Sequence, residues 1–210
     1  KEILPHVNKS SHNSWVRKFR ELNKIGFNKV IDKEYNKQSG GLSMAEVIKS
    51  INENTDGNSI LVTDVGQHQM IASRYMNFNK SKSNITSGGL GTMGFALPAA
   101  LGAKIGDPRR EVIAVIGDGG FQMTIQELGT IFQTSSSVKI VILNNEYLGM
   151  VRQWQQLFFD KRYASTEMTN PDFVTISKGY FIESKRVSHR KELNSSIKQM
   201  LSHDGPYLLE

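Results

Sequence analysis

Glu111-Val112-Ile113-Ala114-Val115-Ile116 is an apolar run that ends in the turn Gly117-Asp118-Gly119-Gly120, and Val138-Lys139-Ile140-Val141-Ile142-Leu143 is a second that ends in Asn144-Asn145. Twenty-four residues separate Gly119 from Asn144, which leaves room for one helix between two strands. Strands that are apolar along their whole length are buried on both faces, the mark of a parallel sheet. The crossover in such a unit is right-handed, so both turns fall at the carboxyl edge of the sheet, where α/β folds bind ligands. A carboxylate and an amide oxygen meeting there suit a hard divalent cation such as Mg2+, which prefers oxygen ligands and shares them with phosphate. The flanking glycines let backbone approach a diphosphate, and the helix expected after Gly120 offers free N–H groups.

Outward from this pair, Ser59-Ile60-Leu61-Val62-Thr63 is a short β-branched run ending in Asp64-Val65-Gly66. Ile85-Thr86 leads into Ser87-Gly88-Gly89-Leu90-Gly91, and Pro206-Tyr207-Leu208-Leu209 reads as a last strand. Ser43-Met44-Ala45-Glu46 is a capping box followed by Val47, Ile48 and Ile51 at helical spacing. Helices are also expected over 95–104, with Pro98 in the first turn, and over 194–201. A second capping-box match, Thr124-Ile125-Gln126-Glu127, is expected to open a helix running to Gln133. The expected fold class is therefore α/β, a doubly wound parallel sheet with helices on both faces.

The chain has 210 residues and no Cys, which excludes disulfide scaffolds, cysteine nucleophiles and Cys-based zinc or iron–sulfur sites. No apolar run approaches the roughly 20 residues that span a bilayer, and no signal-peptide pattern opens the chain. A cytoplasmic location without a membrane partner is expected, and the sequons Asn84-Ile85-Thr86 and Asn194-Ser195-Ser196 read as chance matches. The formal net charge is +6. Nine Lys/Arg against four Asp/Glu fall in residues 1–40, and seventeen against sixteen in the remainder. The excess thus sits in a lead-in rich in Lys, Asn and Ser rather than on a nucleic-acid-binding face. That lead-in holds one weakly amphipathic stretch, Trp15-Val16-Arg17-Lys18-Phe19-Arg20-Glu21-Leu22, and Gln38-Ser39-Gly40-Gly41 reads as a break. Residues 1–40 are expected to be a basic helix and linker from a preceding domain, and 41–210 the domain proper. The start at Lys1 rather than Met points to a piece of something longer.

Four further motifs surround the Asp118…Asn145 spacing in order: Val65-Gly66-Gln67-His68-Gln69-Met70, Ser87-Gly88-Gly89-Leu90-Gly91-Thr92-Met93-Gly94-Phe95, Gly119-Gly120-Phe121-Gln122-Met123 and Leu148-Gly149-Met150-Val151-Arg152-Gln153-Trp154. With them the chain resembles the thiamine-diphosphate enzymes and, among these, the catalytic subunit of acetolactate synthase (acetohydroxyacid synthase). The resemblance covers roughly 41–210, the C-terminal, diphosphate-binding domain of that family. It implies thiamine diphosphate and Mg2+, with Asp118 and Asn145 holding the metal by their side chains and Tyr147 by its backbone carbonyl. The family usually has His at that last position, a change that a main-chain contact tolerates. Val65, Gly66, Gln67 and His68 would line the diphosphate end, with Gly117, Gly119 and Gly120 beside it and Leu148, Gly149 and Met150 closing over it. Gly91, Thr92 and Met93 would meet the aminopyrimidine, the Met93 side chain bending the cofactor into its reactive shape. Trp154 would stand at the active-site mouth and favour the larger acceptor, with Phe158, Phe159, Lys161 and Arg162 continuing a mobile segment.

Without the resemblance, these residues read more plainly: Met93, Met123 and Met150 as gap-filling core residues, His68 as a hydrogen-bonded turn histidine, Trp154 as a half-buried packing residue. Two departures stand out. The family commonly has Ser where Gly120 stands, a loss that a backbone-lined loop is expected to absorb, and Trp where Ile71 stands, which puts that wall of the site in question.

The resemblance further implies condensation of pyruvate with a second 2-oxo acid, pyruvate or 2-oxobutyrate, with loss of CO2, in branched-chain amino-acid synthesis. A glutamate on the pyrimidine-binding domain of a neighbouring subunit would activate the cofactor ring. FAD would sit in a middle domain, and the enzyme would be a homodimer or tetramer sharing its cofactor across the interface, with a regulatory small subunit as a further candidate partner. Neither of those domains is found in this chain, and the family's C-terminal tail is missing, so the chain is expected to turn nothing over alone. Two alternatives remain. One is another thiamine-diphosphate carboligase or oxo-acid decarboxylase domain, against which Gln67-His68-Gln69-Met70 and Gln153-Trp154 argue. The other is a non-catalytic nucleotide-binding module, for which Gly89-Leu90-Gly91-Thr92-Met93-Gly94 offers only the bare Gly-x-Gly-x-x-Gly string.

Overall fold

The computed structural model describes residues 2–8, 10–37 and 39–210, in two compact units that divide between residues 38 and 39. Gln38, the first residue of the expected break, and Lys1 and Lys9 of the basic lead-in lie outside the described residues. In the first unit, a 3-10 turn over Leu4–His6 precedes helix α1, Asn13–Gly26. A π turn over Phe27–Ile31 and the short helix α2, Asp32–Tyr35, continue it. The helix expected around Trp15 is thus longer at both ends. Its apolar residues Trp15, Val16, Phe19, Leu22 and Ile25 are exposed, with the Trp15 and Phe19 rings 4.5 Å apart.

The second unit is an α/β domain. Its helices are α3 (Met44–Thr55), α4 (Gln67–Tyr75), α5 (Ala96–Gly106), α6 (Asp118–Met123), α7 (Glu127–Gln133), α8 (Gly149–Phe158), α9 (Phe173–Gly179) and α10 (Arg190–Ser202). Its strands are β1 (Ile60–Thr63), β2 (Asn84–Thr86), β3 (Val112–Gly117), β4 (Val138–Leu143), β5 (Glu183–Lys185) and β6 (Tyr207–Leu209). They form one sheet in the order β2-β1-β3-β4-β6-β5, and every pairing is parallel. The apolar runs are buried because they are covered on both faces. Alternate residues of a strand face opposite ways. Ile60, Val62, Val112, Ala114, Ile116, Ile140 and Ile142 pack with Ala96, Leu97, Phe121, Leu128, Ile131 and Phe173. Leu61, Ile113, Val115 and Val141 on the other face are equally buried, on the side where α4 and α10 lie against the sheet and α3 packs on both of them.

The capping box at Ser43 forms as expected: the Glu46 N–H donates to Ser43 Oγ at 3.2 Å and the Ser43 N–H to Glu46 Oε2 at 2.9 Å. Glu46 also pairs with Arg190 of α10, so the cap doubles as a helix–helix tie. The second match fails. Thr124 donates its hydroxyl to the Gly94 carbonyl at 3.0 Å, and α7 starts later, behind Gln126, with no side-chain cap. Two short helices, α6 and α7, therefore join β3 to β4 where one was expected. The helix after the Gly-Asp-Gly turn begins at Asp118 itself rather than after Gly120. α10 opens four residues before the expected 194. Lys139, a charge inside a buried strand, is satisfied by the carbonyls of His203 and Gly205 at 2.7 and 2.6 Å and by Ser137 Oγ.

Candidate functional site

The strand order reverses beside β1: β2 lies on one side of it and β3, next in the chain, on the other. The loops leaving β1 and β3 therefore diverge, and a crevice opens between their carboxyl ends. The cleft there is lined by Val65, Gly66, Gln67 and His68 after β1, by Met93, and by Gly117, Asp118, Gly119 and Gly120 after β3. Asn145, Tyr147, Leu148, Gly149 and Met150 after β4 close it. Of the residues singled out from sequence, these fourteen come together. Gly91 and Thr92 sit on an exposed loop outside the cleft lining. Trp154 lies on the exposed side of α8, its ring 4.9 Å from that of Phe158. Met123 is exposed, so it fills no core gap.

Asp118 is buried, and only one of its oxygens is engaged. Oδ2 accepts from the Glu146 N–H at 2.9 Å and from Asn170 Nδ2 at 2.8 Å, while Oδ1 makes no hydrogen bond among the described residues. The two asparagines after β4 divide their work. Asn144 donates to Glu210 Oε1 and accepts from Asn170 and the Glu146 N–H, so it braces the turn. Asn145 lines the cleft, its Oδ1 accepting from the Tyr147 N–H at 3.1 Å. Glu146, between Asn145 and Tyr147, takes a left-handed φ of 59°, and the residues on either side of it both line the cleft. Asn170 is the residue that sequence reasoning missed; its one sequence signal is the turn-forming dipeptide Asn170-Pro171.

Gln67 Nε2 donates to Gln153 Oε1 at 2.8 Å, tying the start of α4 to α8, and Gln67 Oε1 fills the space a Cβ on Gly149 would need. The His68 ring lies about 3.0 Å from where a Cβ on Gly117 would stand. Burial pushes its pKa down to about 4, against the opposing pull of the Asp64 charge and a backbone hydrogen bond to Asp64. The imidazole is therefore neutral near pH 7, and its buried Nε2 has no partner among the described residues.

This donor set fits a cation-bridged diphosphate. Among the described residues, no three His, Cys, Asp or Glu groups gather into a protein-only metal cage. One free carboxylate oxygen, an amide oxygen and a main-chain carbonyl match instead a hard cation that completes its shell with phosphate oxygens and water. A larger cavity of about 730 Å³ lies across the Asn144–Glu146 turn, bordered by Met44, Arg186, Leu209 and Glu210. Arg186 there is already paired with Asp172 and Glu210.

Fold and site together define an α/β domain with a cleft at its switch point, lined by one buried carboxylate and by backbone. More narrowly, the chain belongs to the family described as thiamine pyrophosphate enzyme, C-terminal TPP binding domain, whose model matches residues 64–210. It is 44% identical over 164 residues to the acetolactate synthase isozyme 2 large subunit of Escherichia coli (strain K12), covering 78% of this chain and 30% of that protein. It is 42% identical over 177 residues to the acetolactate synthase large subunit of Lactococcus lactis, covering 84% and 31%. It is 45% identical over 167 residues to the mitochondrial acetolactate synthase catalytic subunit of Saccharomyces cerevisiae, covering 78% and 24%. The matched part thus spans a quarter to a third of these relatives.

Proposed function

We propose that the chain is the diphosphate-binding part of an acetolactate synthase catalytic subunit, which condenses pyruvate with pyruvate or 2-oxobutyrate with loss of CO2. The observation that carries this reading is the convergence of Asp118, Asn145 and Tyr147 beside Gln67, His68 and Gly149, in a chain 42–45% identical over most of its length to proteins of that name. Asp118 Oδ1, the Asn145 amide oxygen and the Tyr147 carbonyl hold Mg2+, and the backbone of 117–120 and 148–150 receives the diphosphate. The cofactor supplies the electron sink on which cleavage and formation of the carbon–carbon bonds depend. Met93, Gly91 and Thr92 meet its aminopyrimidine, and Trp154 borders the acceptor. His68, neutral and held through Asp64, presents its free Nε2 to the diphosphate end.

In the same reading, the ring-activating glutamate and FAD belong to other domains of a longer protein. Residues 1–40 lead out of one of these. The assembly is a cytoplasmic homodimer or tetramer that shares its cofactor, with a regulatory small subunit as a candidate partner. Calorimetry of the 210-residue chain tests the core of it. Thiamine diphosphate is expected to bind only with Mg2+, and stronger binding of NAD or ATP would overturn the reading. The chain alone is expected to form no acetolactate, and detectable product would count against its need for other domains.

A further inference from the structure

The turn that carries Asn145 and Tyr147 is gripped by a stretch of chain outside the Gly-Asp-Gly and Asn-Asn pattern. After α8, residues 159–172 double back as a strap, folded through left-handed backbone at Asp160, Lys161 and Ser165, with φ of 50, 59 and 53°. Residues other than glycine adopt such angles only when their surroundings impose them. Gln155 of α8 supplies one restraint, its side chain exchanging hydrogen bonds of 3.0 Å with both the N–H and the carbonyl of Ala164.

The strap then meets the turn at three points. The guanidinium of Arg152 lies 4.3 Å from the centre of the Tyr147 ring and 4.2 Å from that of Tyr163, a cation held between two rings. Among the described residues Arg152 forms no ion pair. Tyr147 forms an antiparallel bridge with Glu167, flanked by Leu148 N–H to Thr166 O at 2.8 Å and Met168 N–H to Glu146 O at 2.9 Å. Asn170 donates to Asp118 Oδ2 and to Asn144 Oδ1 at 2.8 and 2.9 Å and accepts from Gln122 at 2.9 Å.

Both ends of the donor set are therefore fixed from one strap, Tyr147 through ring stacking and bridging, Asp118 through an amide. Ligands held in place before binding need not be ordered by the ion, and outer partners of this kind typically carry 10–100-fold in metal affinity. We propose that Tyr163, acting through Arg152, and Asn170 are positioning residues that hold the Tyr147 carbonyl and the Asp118 carboxylate in register for the divalent cation. This rests on the cation–diphosphate reading above.

Mn2+ uptake by the 210-residue chain in saturating thiamine diphosphate, followed by the electron paramagnetic resonance of free Mn2+, tests it. Asn170→Ala is expected to raise half-saturation about 10–100-fold, and Tyr163→Leu severalfold. Tyr163→Phe, which keeps the ring, is expected to match the unsubstituted chain. Thermal midpoints and cofactor affinity at saturating Mn2+ should stay near those of the unsubstituted chain. In the metal-free chain, the Leu148 amide should exchange at least about tenfold faster in Tyr163→Leu while β3 amides are unchanged. Equal Mn2+ uptake by all variants would overturn the proposal alone. No uptake by the unsubstituted chain would overturn the cofactor reading and the proposal together. If Asn170→Ala fails to fold, the Tyr163 pair decides.

Discussion

The carboxylate of Asp64 occupies the space that a Cβ on Gly120 would fill. It does so while accepting the N–H groups of Gly94 and Ala96 at 3.1 Å each. One buried side chain thus joins the end of β1, the entry into α5 and the turn after β3, three of the segments that border the cleft. In sequence, Gly120 reads as one more glycine of a backbone-lined loop. In the packing it is the residue that lets Asp64 keep its place.

Gly120→Ala should therefore displace the carboxylate and leave two buried N–H groups without their acceptor. A loss of about 1–3 kcal/mol in urea unfolding is expected, with faster exchange of the Gly94 and Ala96 amides. Unchanged stability would show that Asp64 relocates freely.

Acid should weaken the fold through His68 before it acts on the carboxylates. Its pKa of about 4 in the fold lies below the ordinary 6.5, so between these values the unfolded chain binds the proton and the folded chain does not. This contribution is intact above pH 6.5 and lost as pH falls toward 4, by roughly 3 kcal/mol in all. Glu46 follows at lower pH. Burial raises its pKa, but Arg190 and Ser43 outweigh burial and hold it below 4.5, so its share is lost only as pH falls below that value. His68→Gln should flatten the slope of urea midpoint against pH between 6.5 and 4.5, and an undiminished slope would assign it to other groups.

Removal of a proposed ligand should cost more cation affinity than fold stability. Asp118→Asn and Asn145→Ala are each expected to weaken Mg2+-dependent binding of thiamine diphosphate by at least about tenfold, read by calorimetry beside near-ultraviolet circular dichroism. Binding that survives in Asp118→Asn would move the cation elsewhere.

The cap at α3 should be separable from the site. Ser43→Ala is expected to cost about 1 kcal/mol with cation uptake unaltered. The look-alike Thr124→Val should instead release the Gly94 carbonyl, since no cap exists there to lose. Equal loss of α7 amide protection in that variant would contradict the hydrogen bond to Gly94.

Trp154 is exposed on α8, so Trp154→Leu should leave stability within about 0.5 kcal/mol. On the proposed reading, in an acetolactate synthase that carries this domain, it should lower the share of product made from 2-oxobutyrate relative to pyruvate. An unchanged product ratio would remove Trp154 from the acceptor side.

Much of the site is legible because its residues lie where strands end, and strand ends can be read from local composition. Asp118 follows one apolar run and Asn145 the next, so their meeting follows from parallel neighbours alone. Asn170 escapes that logic, reaching Asp118 across 52 residues from a loop with no periodic pattern. Thr124 shows the opposite failure, a cap motif in sequence whose hydroxyl found a stronger claim in the Gly94 carbonyl. The split of the crossover into α6 and α7 likewise has no signal in hydrophobic period.

The order of residues settles the parallel sheet, the edge at which the candidate site lies and the oxygen-rich chemistry of that edge, because burial on both faces and a change of residue type at strand ends are local properties. Which oxygen of Asp118 stays free, what fills the space beside Gly120, and how Tyr163 reaches Tyr147 through Arg152 are settled by packing. The contacts of Asp118 and Gly120 join segments tens of residues apart, those of Tyr163 depend on a strap with no regular period, and the distances involved arise only once the sheet and the strap have folded together.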